Sequence, residues 1–247
     1  LHDALPILYL EEIHDKMISF DDEIERLHYL VDNNFYFNVF EKYSEAELSE
    51  ITEYAKSIHF QFASYMSASK FYKDYALKTN DKTKFLEDYN QHVAIVALYL
   101  ANGNVKQAKQ FISAMVEQRY QPATPTFLNA GRARRGELVS CFLLEVDDSL
   151  NSINFIDSTA KQLSKIGGGV AINLSKLRAR GEAIKGIKGV AKGVLPVAKA
   201  LEGGFSYADQ LGQRPGAGAV YLNIFHYDVE EFLDTKKVNA DEDLRLS

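Results

Sequence analysis

The chain has 247 residues, 46% of them hydrophobic, long enough for one large domain or two modest ones and apolar enough to bury a core. No apolar run nears the ~20 residues that a membrane-spanning helix requires, and the single cysteine, Cys141, excludes an intrachain disulfide or a cysteine-cluster metal site. The net charge of −6 is uneven: residues 1–50 carry 13 acidic and three basic side chains, whereas residues 121–200 carry 12 basic and six acidic.

Leu1–Ile7 has neither the basic start nor the apolar stretch of a signal peptide and reads as a non-native prefix, with residues 1–17 as a lead-in. From Phe20 to Lys78 the pattern is helical. Asp21 and Asp22 precede Ile24, Leu27, Leu30 and Val31 on one face. Ser44 and Glu47 form a capping box ahead of Leu48, Ile51 and Ala55. The aromatics between Phe60 and Tyr75 read as core. Residues 85–101 and 104–119 form two further helices, joined at the turn Ala101-Asn102-Gly103-Asn104. His28, His59 and His92 are isolated in sequence and read as structural or surface histidines. Residues 18–120 are therefore expected to form a helical domain.

Gln121–Cys141 separates this half from a glycine-rich, mixed half. Its two close prolines, Pro122 and Pro125, predict an extended, stiff loop rather than helix. Glu137–Val146 then reads as a buried strand holding Ser140 and Cys141. Asp147, Asp148 and Ser149 cap a helix running to Lys165. Gly167, Gly168 and Gly169 stop it, and Val170–Leu174 is a second strand. A basic, glycine-bearing loop spans Ser175–Gly193, followed by a helix from Val194 to Asp209, a second loop over Gln210–Gly218, a third strand over Ala219–Phe225 and a helix over Asp228–Lys236. This alternation predicts a parallel sheet in an α/β domain.

The chemistry of these residues leaves alternatives open. Three consecutive glycines suit either a tight turn or close approach of backbone to a ligand, but they lack the Gly-Lys-Ser/Thr ending of a phosphate-binding P-loop. A lone cysteine in an apolar strand is usually an inert hydrophobe; Ser140 beside it and Arg132, Arg134 and Arg135 before it favour a thiolate. Arg178, Arg180, Lys185 and Lys188 in one loop, and Gln210, Gln213 and Arg214 in the other, are able to grip phosphate and base edges, or form two solvated surface loops. Aromatics are too sparsely interleaved there to suggest nucleic acid.

The motifs Gln121-Pro-Ala-Thr-Pro-Thr-Phe-Leu-Asn-Ala-Gly, Val139-Ser-Cys-Phe-Leu, Ser164-Lys-Ile-Gly-Gly-Gly-Val, Arg214-Pro-Gly-Ala-Gly-Ala-Val-Tyr-Leu and Phe232-Leu-Asp-Thr-Lys-Lys resemble, in order, the large subunit of ribonucleotide reductase, and most closely class Ib. The resemblance runs from about Ile18 to Ser247. It implies a helical N-terminal domain followed by the first half of an α/β barrel, incomplete over residues 121–247. The implied activity is reduction of ribonucleoside diphosphates to deoxyribonucleotides by thiyl-radical chemistry. Cys141 is similar to the first cysteine of the redox pair, and Thr124, Ser140 and Gly169 match substrate-contacting positions. Asp148 and Arg178 match positions that hold an allosteric deoxynucleoside triphosphate or ATP. Residues Leu177–Lys188 then form one specificity loop, and the second contains Gln210 and Arg214.

The resemblance further implies a cytoplasmic homodimer built on helices 149–165 and 194–209, with neither membrane nor nucleic acid as a partner. It implies a small subunit whose dimetal–tyrosyl centre generates the radical, and a glutaredoxin- or thioredoxin-like reductant; no metal or cofactor is held by this chain itself. The radical cysteine and the second redox cysteine of the family have no counterpart here, so the piece alone is expected to be a catalytically inactive fragment with an unpaired, aggregation-prone sheet edge. Two other readings keep the same half: a non-catalytic nucleotide-binding module or remnant, and a class II, cobalamin-dependent reductase.

Overall fold

A computed structural model describes residues 4–134, 136–166, 168–208, 218–237 and 239. It divides into two compact units, Leu1–Leu138 and Val139–Ser247. The first is helical: α1 (Ala4–His14), α2 (Glu23–Asp32), α3 (Glu45–Ser57), α4 (Tyr65–Asp74), α5 (Tyr89–Ala101), α6 (Val105–Val116) and α7 (Thr124–Asn129).

Helix α5 is apolar all round, from Val93 through Leu98, and every one of those residues is buried. A helix of that kind has no solvent face and must be central, and α5 accordingly packs against α6, α3 and α7. Its ends are specified locally. Asp88 and Gln91 form a capping box, and Asn102 closes the helix in the left-handed region at φ 45°. The capping box expected at Ser44 and Glu47 opens α3.

Below α5 lies a buried ionic cluster that the isolated-histidine reading of His92 does not anticipate. The Glu87 carboxylate accepts from the Tyr36 hydroxyl, from the Leu77 amide at 2.8 Å and from both terminal nitrogens of Arg132. His92 Nδ1 lies 2.8 Å from the same carboxylate, and His92 Nε2 lies 2.8 Å from the Phe127 carbonyl. Burial alone would push the Glu87 carboxyl up; the charges of Arg132 and His92 and their hydrogen bonds outweigh it and hold the group well below the usual carboxylate range.

The Gln121–Leu138 segment belongs to this unit, so the compact boundary falls later than the change of sequence style at residue 120. The stiff loop expected there is instead partly helical. Pro125 occupies the first turn of α7, where its missing N–H is no loss, and Pro125, Phe127 and Asn129 are buried.

The second unit is a three-stranded parallel sheet in the order β1 (Cys141–Glu145), β2 (Gly169–Asn173), β3 (Gly218–Tyr221). The connecting helices are α8 (Leu150–Lys165) and α9 (Leu195–Tyr207), and α10 (Val229–Asp234) follows β3. The register aligns Phe142 with Val170 and Gly218, and Leu144 with Ile172 and Val220. Of these, Val170 and Ile172 are buried with Ile156 and Ala160 of α8 and Ala198, Leu201 and Phe205 of α9. The opposite face carries Cys141, Leu143 and Glu145 on β1, all exposed. The buried strand expected at Glu137–Val146 is therefore shorter, and its alternate side chains Cys141, Leu143 and Glu145 are exposed. Its alternating pattern is the period-2 signature of a half-covered sheet. Ser140 stands just before the strand rather than in it.

The Glu87 cluster generates a stability expectation. Replacing Glu87 by Gln leaves the Arg132 guanidinium buried without its counter-charge and is expected to cost about 3–5 kcal/mol, read by urea denaturation at pH 7. Since the native pKa is depressed, the carboxylate's contribution is full above its unfolded value of about 4.3 and is lost as pH falls through the native value. The gap between wild type and Glu87→Gln should narrow as the pH is lowered below that point.

Candidate functional site

Two groups of the residues singled out in sequence lie in the second unit. At the start of β1 the Gly169 amide donates to the Ser140 carbonyl at 2.9 Å, which locks the head of β2 beside Ser140 and Cys141. The Cys141 thiol is exposed and donates to Ser140 Oγ at 3.6 Å. Gly168 must lack a side chain, because a Cβ there would overlap the Phe142 ring. The glycine turn thus has a packing reason, and it delivers the backbone of Gly169 to the cysteine. Gly167 lies outside the described residues.

Thr124 belongs to the helical unit, where it starts α7 and lies 3.4 Å from the Tyr75 hydroxyl through its Oγ1. Arg132 does not serve the thiol as a counter-charge: its guanidinium is buried and committed to Glu87 and to the Tyr75 carbonyl at 3.1 Å. Arg135 lies outside the described residues.

The second group surrounds the N-terminus of α8. Ser149 caps the helix by accepting from the Ser152 amide at 3.1 Å. Immediately before it, Asp148 takes the Nε of Arg178 at 2.7 Å and the Arg178 amide at 3.2 Å. Arg178 Nη1 also donates to the Ala183 carbonyl at 3.1 Å, so its planar head is fixed on two sides. Lys176 bridges Glu145 at 2.8 Å and Asp147 at 3.2 Å, and both contacts hold its ammonium charge more firmly. A cleft of about 290 Å³ is lined by Asp148, Arg178, Lys192 and Gly193 together with the apolar Ile153 and Val197. It pairs basic groups with apolar ones, a combination suited to an anion carrying a flat, less polar part.

The basic loop around this cleft is ordered by its own backbone. Ile184 and Ile187 exchange hydrogen bonds at 3.0 Å around a turn with Lys185 at φ 52°. Its base is held by Asp228, which the sequence marks only as the start of a helix. Gln210 and Arg214, the residues named for the second loop, lie outside the described residues. Among the described residues no three His, Cys, Asp or Glu side chains converge as a metal-ligand set, and no helix is long and apolar enough to cross a membrane.

Three family models match the chain in succession: the ribonucleotide reductase N-terminal region over residues 2–60, the ribonucleotide reductase all-alpha domain over 61–135 and the ribonucleotide reductase barrel domain over 139–247. The chain belongs to the ribonucleotide reductase large-subunit family. It is 54% identical over 245 residues to the ribonucleoside-diphosphate reductase subunit alpha of Bacillus subtilis (strain 168), covering 99% of this chain and 35% of that relative. It is 48% identical over 237 residues to the subunit alpha of Mycoplasma pneumoniae, with 96% of this chain and 33% of the relative covered. The large subunit from Vaccinia virus is 28% identical over 248 residues, covering 99% of this chain and 31% of the relative. The chain spans about a third of the length of these curated relatives. The match begins at residue 2, ahead of the Ile18 from which the motifs are readable.

The exposure of Cys141 is directly measurable. A chromogenic disulfide reagent should titrate one thiol per folded chain, at a rate within about tenfold of that in denaturant. A thiol that reacts only after unfolding would contradict the open face of β1.

Proposed function

We propose that this chain acts within a ribonucleoside-diphosphate reductase of the class Ib kind, contributing one redox thiol, part of the substrate site and an allosteric nucleotide site. The observation that carries the reading is the placement of the one cysteine: Cys141 heads a strand of the barrel-domain segment, its thiol exposed, with the Gly169 backbone fixed beside it.

In the reaction a thiyl radical on another cysteine removes the 3′ hydrogen of the ribonucleotide, and the 2′ hydroxyl leaves as water. Cys141 and a second cysteine, both thiols, supply two electrons and two hydrogens and become a disulfide. The overall balance is ribonucleotide plus two thiols to deoxyribonucleotide, water and disulfide. An external dithiol protein of the glutaredoxin or thioredoxin kind restores the thiols, and a small subunit with a dimetal–tyrosyl centre supplies the radical. Ser140, Gly169 and Thr124 contact the substrate. The cleft at Asp148 and Arg178 receives a deoxynucleoside triphosphate or ATP, with Gln210 and Arg214 in the loop that relays its identity. The enzyme works as a homodimer in the cytoplasm.

The test uses the full-length large subunit with its small subunit, dithiothreitol and cytidine diphosphate. Cys141→Ser should abolish multiple-turnover formation of deoxycytidine diphosphate while leaving nucleotide binding intact. Sustained turnover by that variant would overturn the role of Cys141 as an electron donor. Arg178→Ala should weaken effector binding by about tenfold or more, the loss expected for a charge-assisted contact, and equilibrium dialysis reads it.

A further inference from the structure

The loop that walls the Asp148–Arg178 cleft starts and ends on a single side chain. Asp228 is 6% exposed, and its carboxylate faces two backbone amides. The Arg180 amide lies 2.9 Å from Oδ1 and 3.2 Å from Oδ2, and the Val194 amide lies 3.1 Å from Oδ2. One carboxylate therefore gathers the beginning and the end of the basic loop. Both carboxylate oxygens accept: Oδ1 takes the shorter contact from Arg180, and Oδ2 is shared between Arg180 and Val194.

The neighbouring histidine completes the arrangement. The Asp228 amide donates to His226 Nδ1 at 3.1 Å, so that nitrogen is the acceptor, and the ring's hydrogen sits on Nε2, 2.8 Å from the Leu177 carbonyl. Leu177 directly precedes Arg178. Gly193, between the loop and Val194, sits at φ 78°, and a Cβ there would overlap Asp228 Oδ2. Above this base the loop is zipped by the Gly181 amide to the Ala191 carbonyl at 3.0 Å and by the Ala191 amide to the Glu182 carbonyl at 3.2 Å.

The walls of the cleft are thus set by these contacts. Among its lining residues, Arg178 follows the residue held by His226, and Lys192 and Gly193 lead into the amide held by Asp228. The holding residues sit on the segment that continues β3, which is itself tied back to the end of β2. The Leu174 amide donates to the Tyr221 carbonyl at 2.9 Å, and the Asn223 amide donates to Ser175 Oγ at 2.8 Å.

We infer that Asp228, with His226, is a positioning pair for the anion-binding cleft: it clasps the two ends of the basic loop and fixes the spacing between Arg178 and Lys192 that a nucleoside triphosphate must meet. The clasp stands on geometry alone; its consequence for ligand binding rests on the effector reading of the Asp148–Arg178 cleft.

The experiment uses full-length large subunit as wild type, Arg178→Ala, Asp228→Asn and, as a neighbouring-charge control, Glu231→Gln, which removes only the exposed partner of Arg180. Deoxythymidine triphosphate binding is measured by equilibrium dialysis, and amide hydrogen exchange is followed across residues 178–194. Asparagine keeps the shape of Asp228 but sets an NH2 group against one of the two backbone N–H groups. Asp228→Asn should therefore weaken binding by about tenfold and speed exchange at Arg180 and Val194, with Glu231→Gln unchanged in both. Should Asp228→Asn fold poorly, His226→Gln, which disturbs the contacts to the Leu177 carbonyl and the Asp228 amide but leaves the carboxylate in place, should show a smaller loss in the same direction.

Asp228→Asn that binds and exchanges like wild type, while Arg178→Ala binds weakly, overturns the clasp and leaves the effector reading standing. Wild-type protein that binds no triphosphate overturns the effector reading and with it the consequence for binding, while the exchange data still decide the clasp.

Discussion

A carboxylate removed from water must find donors, and in the helical unit Glu87 finds them on four separate stretches of chain. Its partners follow α2 (Tyr36), follow α4 (Leu77), ride on α5 (His92) and follow α7 (Arg132). Each contact alone is modest, but leaving any donor unsatisfied in this apolar setting is costly. The cluster thus fixes how the segment after α7 lies against the bundle, because Arg132 cannot leave Glu87 without its buried guanidinium losing its counter-charge. The Phe127 carbonyl, held by His92, extends that constraint into α7 and so to Thr124.

The second unit solves a related problem with the opposite economy of partners. A parallel sheet of three strands cannot be closed by hairpins, so long connections are obligatory, and one of them is the basic loop between β2 and α9. A loop of that length would be loose if only its tip were ordered. Asp228 and His226 instead hold its base, and the Ile184–Ile187 turn and the Gly181–Ala191 contacts order the rest. Charge serves position in both units. Glu87 and Asp228 are buried acids that gather chain segments, whereas Lys176, Arg178 and Arg180 pair with acids nearer the surface.

Much of this was legible in the chain. The capping box at Ser44 and Glu47, the helix after Ser149 and the strand–helix alternation follow from local periodicity and end signals and stand where they were expected, while the helix expected over 85–101 starts only at Tyr89, after its Asp88 cap. Local rules failed where two readings share one sequence. Pro122 and Pro125 look like breakers, yet Pro125 suits the first turn of α7. The apolar run around Cys141 looks buried, yet its alternate side chains Cys141, Leu143 and Glu145 are exposed.

The sequence by itself determined the order of elements, the family and the residues worth watching, since periodicity, caps and motif spacing are properties of neighbours along the chain. The tertiary structure alone decided the partners: that Arg178 meets Asp148 from 30 residues away, that Arg132 is committed to Glu87, that His92 is not isolated, and that Asp228 holds both ends of a loop. The physical reason is that a buried charge is indifferent to sequence distance. It pairs with whichever donors the packing brings within reach, and only the folded chain shows which those are.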